Sequence, residues 1–196
     1  YRPQEKVYAC STPTLRDNYI WNLHDGADEV RHYFVPCPNC GEMIELRFAQ
    51  IRFEKDDEKQ MSIAERAKTA TYFCEKCGME IKNESKPEML RRGEWQAVRK
   101  RGIGAPRSVG FWINSLYSVF LKWEDVAEEF LKSYEDPEQL QNFTNSWLGE
   151  PWEDTKLKTT ADTVHDRETE EEEVAVPSGA VFLTGGVDVQ ETSLYY

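Results

Sequence analysis

Apolar and polar positions alternate in three different ways along this chain. In the region 123–149 the period is helical. Trp123, Val126, Ala127, Phe130, Leu131 and Tyr134 fall at i, i+3, i+4, i+7, i+8 and i+11, with acids opposite, which predicts an amphipathic helix. Asp136 then caps a second helix with Pro137 at its first position. Leu140, Phe143, Thr144 and Trp147 form its apolar stripe and Gly149 closes it. Two such helices joined by a tight Asp-Pro turn should pack as a hairpin.

Upstream the apolar runs are short. Lys6-Val7-Tyr8-Ala9-Cys10-Ser11 reads as a buried strand that ends in the turn-prone Ser11-Thr12-Pro13-Thr14, where proline has no amide hydrogen for a ladder. His32-Tyr33-Phe34-Val35, Ile44-Glu45-Leu46 and Tyr72-Phe73 read as further short strands. Ser62-Ile63-Ala64-Glu65 fits a capping box, predicting a short helix to about Ala70, and a further turn or two should run from Ser85 to Arg92, stopped by Gly93. The charged stretch 47–60 reads as an exposed excursion. From 155 to 176 the apolar pattern collapses, and the acidic block 166–173 repels itself, a linker by composition. After Pro177-Ser178-Gly179 a new apolar run, 180–190, looks like the opening strand of another domain.

Composition adjusts this picture little. Hydrophobic residues are 39% and aromatics 12% of the 196 residues, enough for a core, and no run approaches the ~20 apolar residues of a membrane span. A soluble, intracellular protein with no membrane partner is expected. The net charge of -12 argues against a dedicated DNA-binding module on average. One stretch inverts that average: Lys86, Arg91, Arg92, Arg99, Lys100, Arg101 and Arg107 stand against only Glu88 and Glu94. It reads either as a surface that tracks phosphates or as an ordinary solvated face. Beginning at Tyr1 without methionine and stopping at Tyr196 inside a strand-like run, the chain reads as a fragment of a longer protein.

The sharpest chemistry lies in Cys37-Pro38-Asn39-Cys40-Gly41 and Cys74-Glu75-Lys76-Cys77-Gly78, two copies of C-x-x-C-G. Two intervening residues let both sulfurs turn onto one cation, and the glycine supplies the positive φ that finishes each knuckle. Four thiolates close a tetrahedron, so Cys37, Cys40, Cys74 and Cys77 should form a structural metal site holding zinc. Iron fits the same four sulfurs, and spacing does not separate the two metals. The metal should also contribute folding energy, because the segment between the pairs is polar. Cys10 stands apart and reads as a small buried apolar residue. His24, His32 and His165 show no ligand spacing.

The order of these motifs resembles the large terminase subunit of lambda-like tailed phages and prophages. The matching pieces are Cys10-Ser11-Thr12-Pro13-Thr14, the two cysteine motifs, Gly93-Glu94-Trp95, Asn114-Ser115-Leu116-Tyr117-Ser118, Trp147-Leu148-Gly149-Glu150-Pro151-Trp152-Glu153 and Gly186-Val187-Asp188-Val189-Gln190. The resemblance implies a viral DNA-packaging motor: an amino-terminal ATPase, and a carboxy-terminal nuclease of RNase H-like fold that uses Mg. It also implies double-stranded DNA, a small terminase subunit and a portal as partners, in the host cytoplasm. The sequence has no G-x-x-x-x-G-K-[ST] phosphate loop, so ATP hydrolysis by this stretch alone is not expected.

The expected fold class is α+β: zinc-ribbon knuckles and a helical hairpin flanked by partial strands of neighbouring α/β domains. The expected division is 1–30 end of the ATPase domain, 31–84 zinc ribbon, 85–154 helical connecting region, 155–178 acidic linker and 179–196 start of the nuclease. The resemblance gives Ser11, Thr12 and Thr14 the segment that couples nucleotide state to motion; an ordinary strand-ending turn is the other reading. It makes Asp188 the first-strand carboxylate of a two-metal nuclease, against an exposed strand-end aspartate. Arg91, Arg92, Arg99, Lys100 and Arg101 are the candidate DNA contacts. A non-enzymatic zinc-ribbon module and, further off, a rubredoxin-like electron carrier are the alternatives.

Overall fold

The computed structural model describes residues 6–56 and 60–153 and, as backbone only, two strands at 188–189 and 194–195. It divides into two compact units, Tyr1–Glu153 and Asp154–Tyr196. In the first, helix α1 (Tyr19–Gly26) leads into the long strand β1 (Glu29–Pro36), followed by β2 (Met43–Glu45), β3 (Ile51–Arg52), α2 (Ile63–Lys68), β4 (Thr71–Phe73) and β5 (Glu80–Ile81). Helix α3 (Lys86–Arg91), β6 (Glu94–Lys100), β7 (Val109–Trp112), α4 (Trp123–Ser133) and α5 (Pro137–Asn142) complete it, with α5 continuing into a π-helical stretch, Phe143–Trp147.

β1 organises the larger sheet. β6 runs antiparallel along almost its whole length, β2 pairs antiparallel with its last residues, and β7 pairs parallel with its first four. A second sheet has the order β3-β4-β5. Between the sheets and α4 lies one core containing Val35, Ile44, Leu46, Ile51, Tyr72, Ile81, Leu116, Trp123, Val126 and Phe143. The backbone that leaves β2 crosses this core, and its polar groups are met by buried side chains rather than by water. Leu46 N donates to Tyr117 Oη at 2.8 Å, Asn114 Nδ2 donates to Leu46 O at 2.9 Å, and Arg47 N donates to Tyr72 Oη at 3.1 Å.

The helical expectations hold. Ser62 and Glu65 form the reciprocal capping box of α2; Asp136 Oδ1 accepts from Glu138 N at 2.9 Å with Pro137 at the first helical position, and Gly149 has φ 66°. Three expectations fail, and two elements were not expected. Residues 6–10 form no strand: Val7 and Tyr8 are each 85% exposed and Cys10 is exposed. No described strand offers that segment a ladder, so its apolar side chains have nothing to pack against. Pro13 is buried, and Thr14 O accepts from Trp152 N at 2.8 Å, so the 11–14 segment ends no strand but lies against the 150–153 run. The 47–60 stretch is only partly an excursion. Phe48 and Phe53 pack on the core and Ile51 is buried in β3, because three apolar side chains among the charges suffice to hold it. Finally, α1 and β6 carry no strong apolar period and went unpredicted; Asn18, whose side chain accepts from Ile20 N, is the capping signal that marks α1.

The linker 155–178 lies outside the described residues. Of the run 180–190, only 188–189 is described: β8 (Asp188–Val189) pairs antiparallel with β9 (Leu194–Tyr195), placing Asp188 opposite Tyr195.

Candidate metal centre

Each cysteine pair sits on a tight turn that the sequence builds in the same way. In the first, Cys37 N donates to Glu42 O and Gly41 N to Cys37 O, both at 2.9 Å. In the second, Cys74 N donates to Met79 O and Gly78 N to Cys74 O, again at 2.9 Å. Gly41 and Gly78 have φ of 78° and 71°, the left-handed geometry that the glycines were expected to supply. The first turn joins β1 to β2 and the second joins β4 to β5, so each sheet projects one knuckle. Asn39 Nδ2 reaches across to Glu80 O at 2.8 Å and ties the two together.

The four sulfurs all lie within 4.8 Å of one another, with Cys40 Sγ and Cys74 Sγ 4.0 Å apart, and all five cysteines of the chain are free thiols. A tetrahedron of thiolates with metal–sulfur bonds of about 2.3 Å has sulfurs about 3.8 Å apart. The sulfur spacing is therefore close to that of a tetrathiolate site, and the four donors fit one cation of zinc's size. Cys37 and Cys74 are buried, whereas Cys40 and Cys77 face solvent. Burial pushes the Cys37 thiol up to about 12. Burial also opposes ionisation of Cys74, but the amides of Cys77 and Lys76 outweigh it and hold that thiol below its ordinary value. Lys76 N approaches Cys74 Sγ at 3.4 Å, an amide directed at sulfur. Charges that close together cannot all develop unless a cation is shared among them.

The other candidate residues are dispersed. Arg91 pairs with Glu88 at 2.6 Å on α3, and Arg92 follows it. Arg99, Lys100 and Arg101 stand at the far end of β6, about 20 Å away at ~3.3 Å per strand residue. Arg99 binds Asp25 at 2.6 Å, Lys100 lies 3.6 Å from Glu29, and Arg101 lies 3.9 Å from Asp25. Ser11, Thr12 and Thr14 are exposed, and Thr14 Oγ1 accepts from Asn18 Nδ2 at 2.8 Å.

Sequence reasoning missed a polar cleft of about 330 Å³ lined in part by Trp21, His32, Glu45, Arg47, Trp112 and Glu150. Glu45 is 4% exposed, receives His32 Nδ1 at 2.9 Å and receives Arg47 Nη2 at 2.6 Å. Burial raises its pKa, but those two partners outweigh it and leave the carboxyl below its ordinary value. Only the pairing of β1 with β2 brings His32 and Glu45 together, so spacing gave no signal.

Fold and site define a class: a mixed α+β unit in which two sheets each offer a β-knuckle, and four converging thiols can hold one metal ion. The family comparisons are more specific. The family model "Phage terminase large subunit gpA, ATPase domain" matches residues 1–95, and "Terminase large subunit gpA, endonuclease domain" matches residues 108–196. The chain is 29% identical over 202 residues to the terminase large subunit of Enterobacteria phage P21, and 29% identical over 203 residues to that of Escherichia phage lambda. Each alignment covers 92% of this chain and 30% of the relative, so the chain spans about 30% of the length of the relatives it matches. No solved structure matches. The two gpA domain matches together account for residues 1–95 and 108–196, so the chain is similar to lambda-like phage terminase large subunits along nearly its whole length, and the ATPase match runs through both cysteine pairs. Among the described residues no helix is long and apolar enough to cross a membrane.

Proposed function

We propose that this stretch is a zinc-stabilised connector within an ATP-driven motor and Mg-dependent endonuclease that packages and cuts double-stranded viral DNA. The convergence of Cys37, Cys40, Cys74 and Cys77 within 4.8 Å carries the structural part of this reading. Four sulfur donors leave no open position on a tetrahedral ion, so the metal holds the two sheets together and takes no part in chemistry. Zinc would be bound by all four thiolates, and its binding energy would appear as folding energy of the knuckles.

The two family matches support the motor reading: the ATPase match, 1–95, contains both knuckles, and the endonuclease match begins at 108. Under this reading residues 1–30 close the ATPase domain, 31–84 form the zinc ribbon, 85–154 the helical connector, 155–178 an acidic linker, and 179–196 open the nuclease. Ser11, Thr12 and Thr14 would relay nucleotide state, and Asp188, on the described strand β8, would supply one nuclease carboxylate. Arg91, Arg92, Arg99, Lys100 and Arg101 would contribute to DNA contact, with Arg91 and Arg99 the weaker contributors because Glu88 and Asp25 already engage them. A small terminase subunit and a portal would be the protein partners, in the host cytoplasm.

X-ray fluorescence and metal stoichiometry on the purified chain and on Cys74→Ser test the metal centre. The parent should carry near-stoichiometric zinc and be colourless; the variant should lose the metal and unfold in part. A red, iron-bearing parent would replace zinc with a rubredoxin-like site, and a metal-free, fully folded parent would end the proposal.

A further inference from the structure

The pairing of β6 and β7 with β1 creates a sheet face that the metal centre does not use. Residues paired across strands share a face. Tyr33 opposes Trp95, and Arg31 opposes both Ala97 on β6 and Phe111 on β7, so these side chains stand together. The ring contacts agree: Trp95 packs edge-on against Tyr33 at 5.1 Å and against Phe111 at 4.9 Å. Trp95 is nevertheless 38% exposed, Phe111 54%, and Ile113, two residues on, 51%. Large aromatic rings held by neighbours yet open to water on one side are platforms, not core.

The charge on this face is opposite to that of the chain. Arg31 and Lys100 flank the rings, and Arg92 lies one residue before Gly93, whose backbone abuts the Tyr33 ring. The acid that strand pairing puts among them, Glu29, is 4% exposed and covered by Arg31 and Lys100. Glu94 belongs to the opposite face, with Phe34. In a chain of net charge -12, an exposed aromatic pair rimmed by cations is a local inversion with a chemical meaning. Cations match a phosphate backbone, and open rings offer surfaces on which unpaired bases stack; a duplex hides those base faces.

We propose that the Trp95–Phe111 face binds single-stranded DNA, its bases stacking on Trp95 and Phe111 and its phosphates meeting Arg31, Lys100 and Arg92. The choice of DNA over RNA rests on the reading above that the parent acts on DNA; the stacking and charge argument does not.

The test is fluorescence anisotropy of the zinc-loaded chain with a labelled oligo-dT of about 12 nucleotides, within the usual footprint of such platforms. The matching duplex and an oligo-U run beside it. Single-stranded DNA should bind more tightly than the duplex. Trp95→Ala with Phe111→Ala should weaken binding at least about tenfold without changing metal content or far-UV dichroism. Trp95→Phe should retain most of the affinity. Lys100→Gln with Arg92→Gln should flatten the salt dependence, which the aromatic variants leave alone. Equal binding of the duplex, unchanged binding by Phe111→Ser, or tighter binding of oligo-U would overturn the proposal. So would self-association that Trp95→Ala abolishes, since the face would then belong to a second copy. Because zinc content is read separately, loss of this proposal and loss of the metal centre are distinguishable.

Discussion

The two cysteine knuckles have the same turn, the same hydrogen bonds and nearly the same glycine angle, yet they hang from supports of very different strength. The first grows from the end of β1, an eight-residue strand bonded to β2, β6 and β7. The second is carried by β4 and β5, which meet at only two residue pairs, Tyr72↔Ile81 and Phe73↔Glu80. A two-residue ladder cannot offset the chain entropy of ordering its own turn. An ion shared by the four thiols, as proposed, should therefore matter little to the fold around Cys37 and a great deal to the fold around Cys74.

Metal removal gives the largest effect. Chelation, or Cys74→Ser, should cost several kcal/mol, in line with the ~10 kcal/mol scale of structural zinc binding discounted for a part that is already folded. Amide hydrogen exchange should show β3, β4 and β5 losing protection while β1 and β6 keep theirs. Uniform loss across both sheets, or none, would break the contrast between the knuckles.

Much of this was legible in sequence, for a physical reason that the failures make plain. The cysteine motifs, the α2 capping box and the Asp136-Pro137 helix start are local devices whose whole geometry lies within five or six residues, and each appears as expected. The amphipathic period of α4 is nearly as local, since Trp123, Val126 and Ala127 face the core from one helix. What failed depends on partners far along the chain. Val7 and Tyr8 look like strand residues, but a strand is a property of two segments. β6 escaped notice because a basic run is not strand-like by composition; β1 makes it one. The same pairing separates Arg92 from Arg99, which sequence distance alone had placed in one patch, while the pairing of β1 with β2 sets His32 beside Glu45.

The backing of the second knuckle should also respond to pH. Tyr72 of β4 lies 5.0 Å from the Trp123 ring, and Lys86 places its ammonium 4.4 Å from that same ring while donating to Leu121 O at 2.6 Å. Lys86 is 2% exposed, and burial lowers its pKa from 10.5 to about 8. The unfolded chain thus holds this proton more tightly than the folded one. Between about pH 8 and 10.5 the unfolded state carries the extra proton, so stability should rise with pH across that window. The gain should be on the order of 3 kcal/mol, and below the window the cost is constant. Denaturant melts of the parent against Lys86→Met isolate it, because the tyrosines and thiols titrate in both. A variant with the same slope as the parent would remove Lys86 from the account.

The two glycines sharpen the comparison at smaller scale. Gly41 and Gly78 both have positive φ, and a Cβ on either would meet open space, so Gly41→Ala and Gly78→Ala carry only the left-handed penalty of roughly 1–2 kcal/mol. With equal intrinsic cost, any difference between them reports the supports. If zinc is held as proposed, Gly78→Ala should release it to a competing chelator faster than Gly41→Ala, since β4 and β5 pair at only two positions and the turn has less ladder behind it. Equal release rates would mean that the ion, not the sheet, sets the rigidity of both turns.

Asn39 supplies the smallest and most selective test. Its side-chain amide donates from the firm first knuckle to Glu80 O in β5, at 2.8 Å, so it is a protein strut running parallel to the proposed metal link. The bond is exposed, and its loss in Asn39→Ala should cost only about 0.5–1 kcal/mol. The direction of the effect matters more than its size. If order flows from the first knuckle to the second, the variant should raise exchange at the Glu80 and Ile81 amides while leaving those of β1 untouched, with zinc still bound. Faster exchange along β1 instead would mean that the second knuckle supports the first, the reverse of what the lengths of their strands imply.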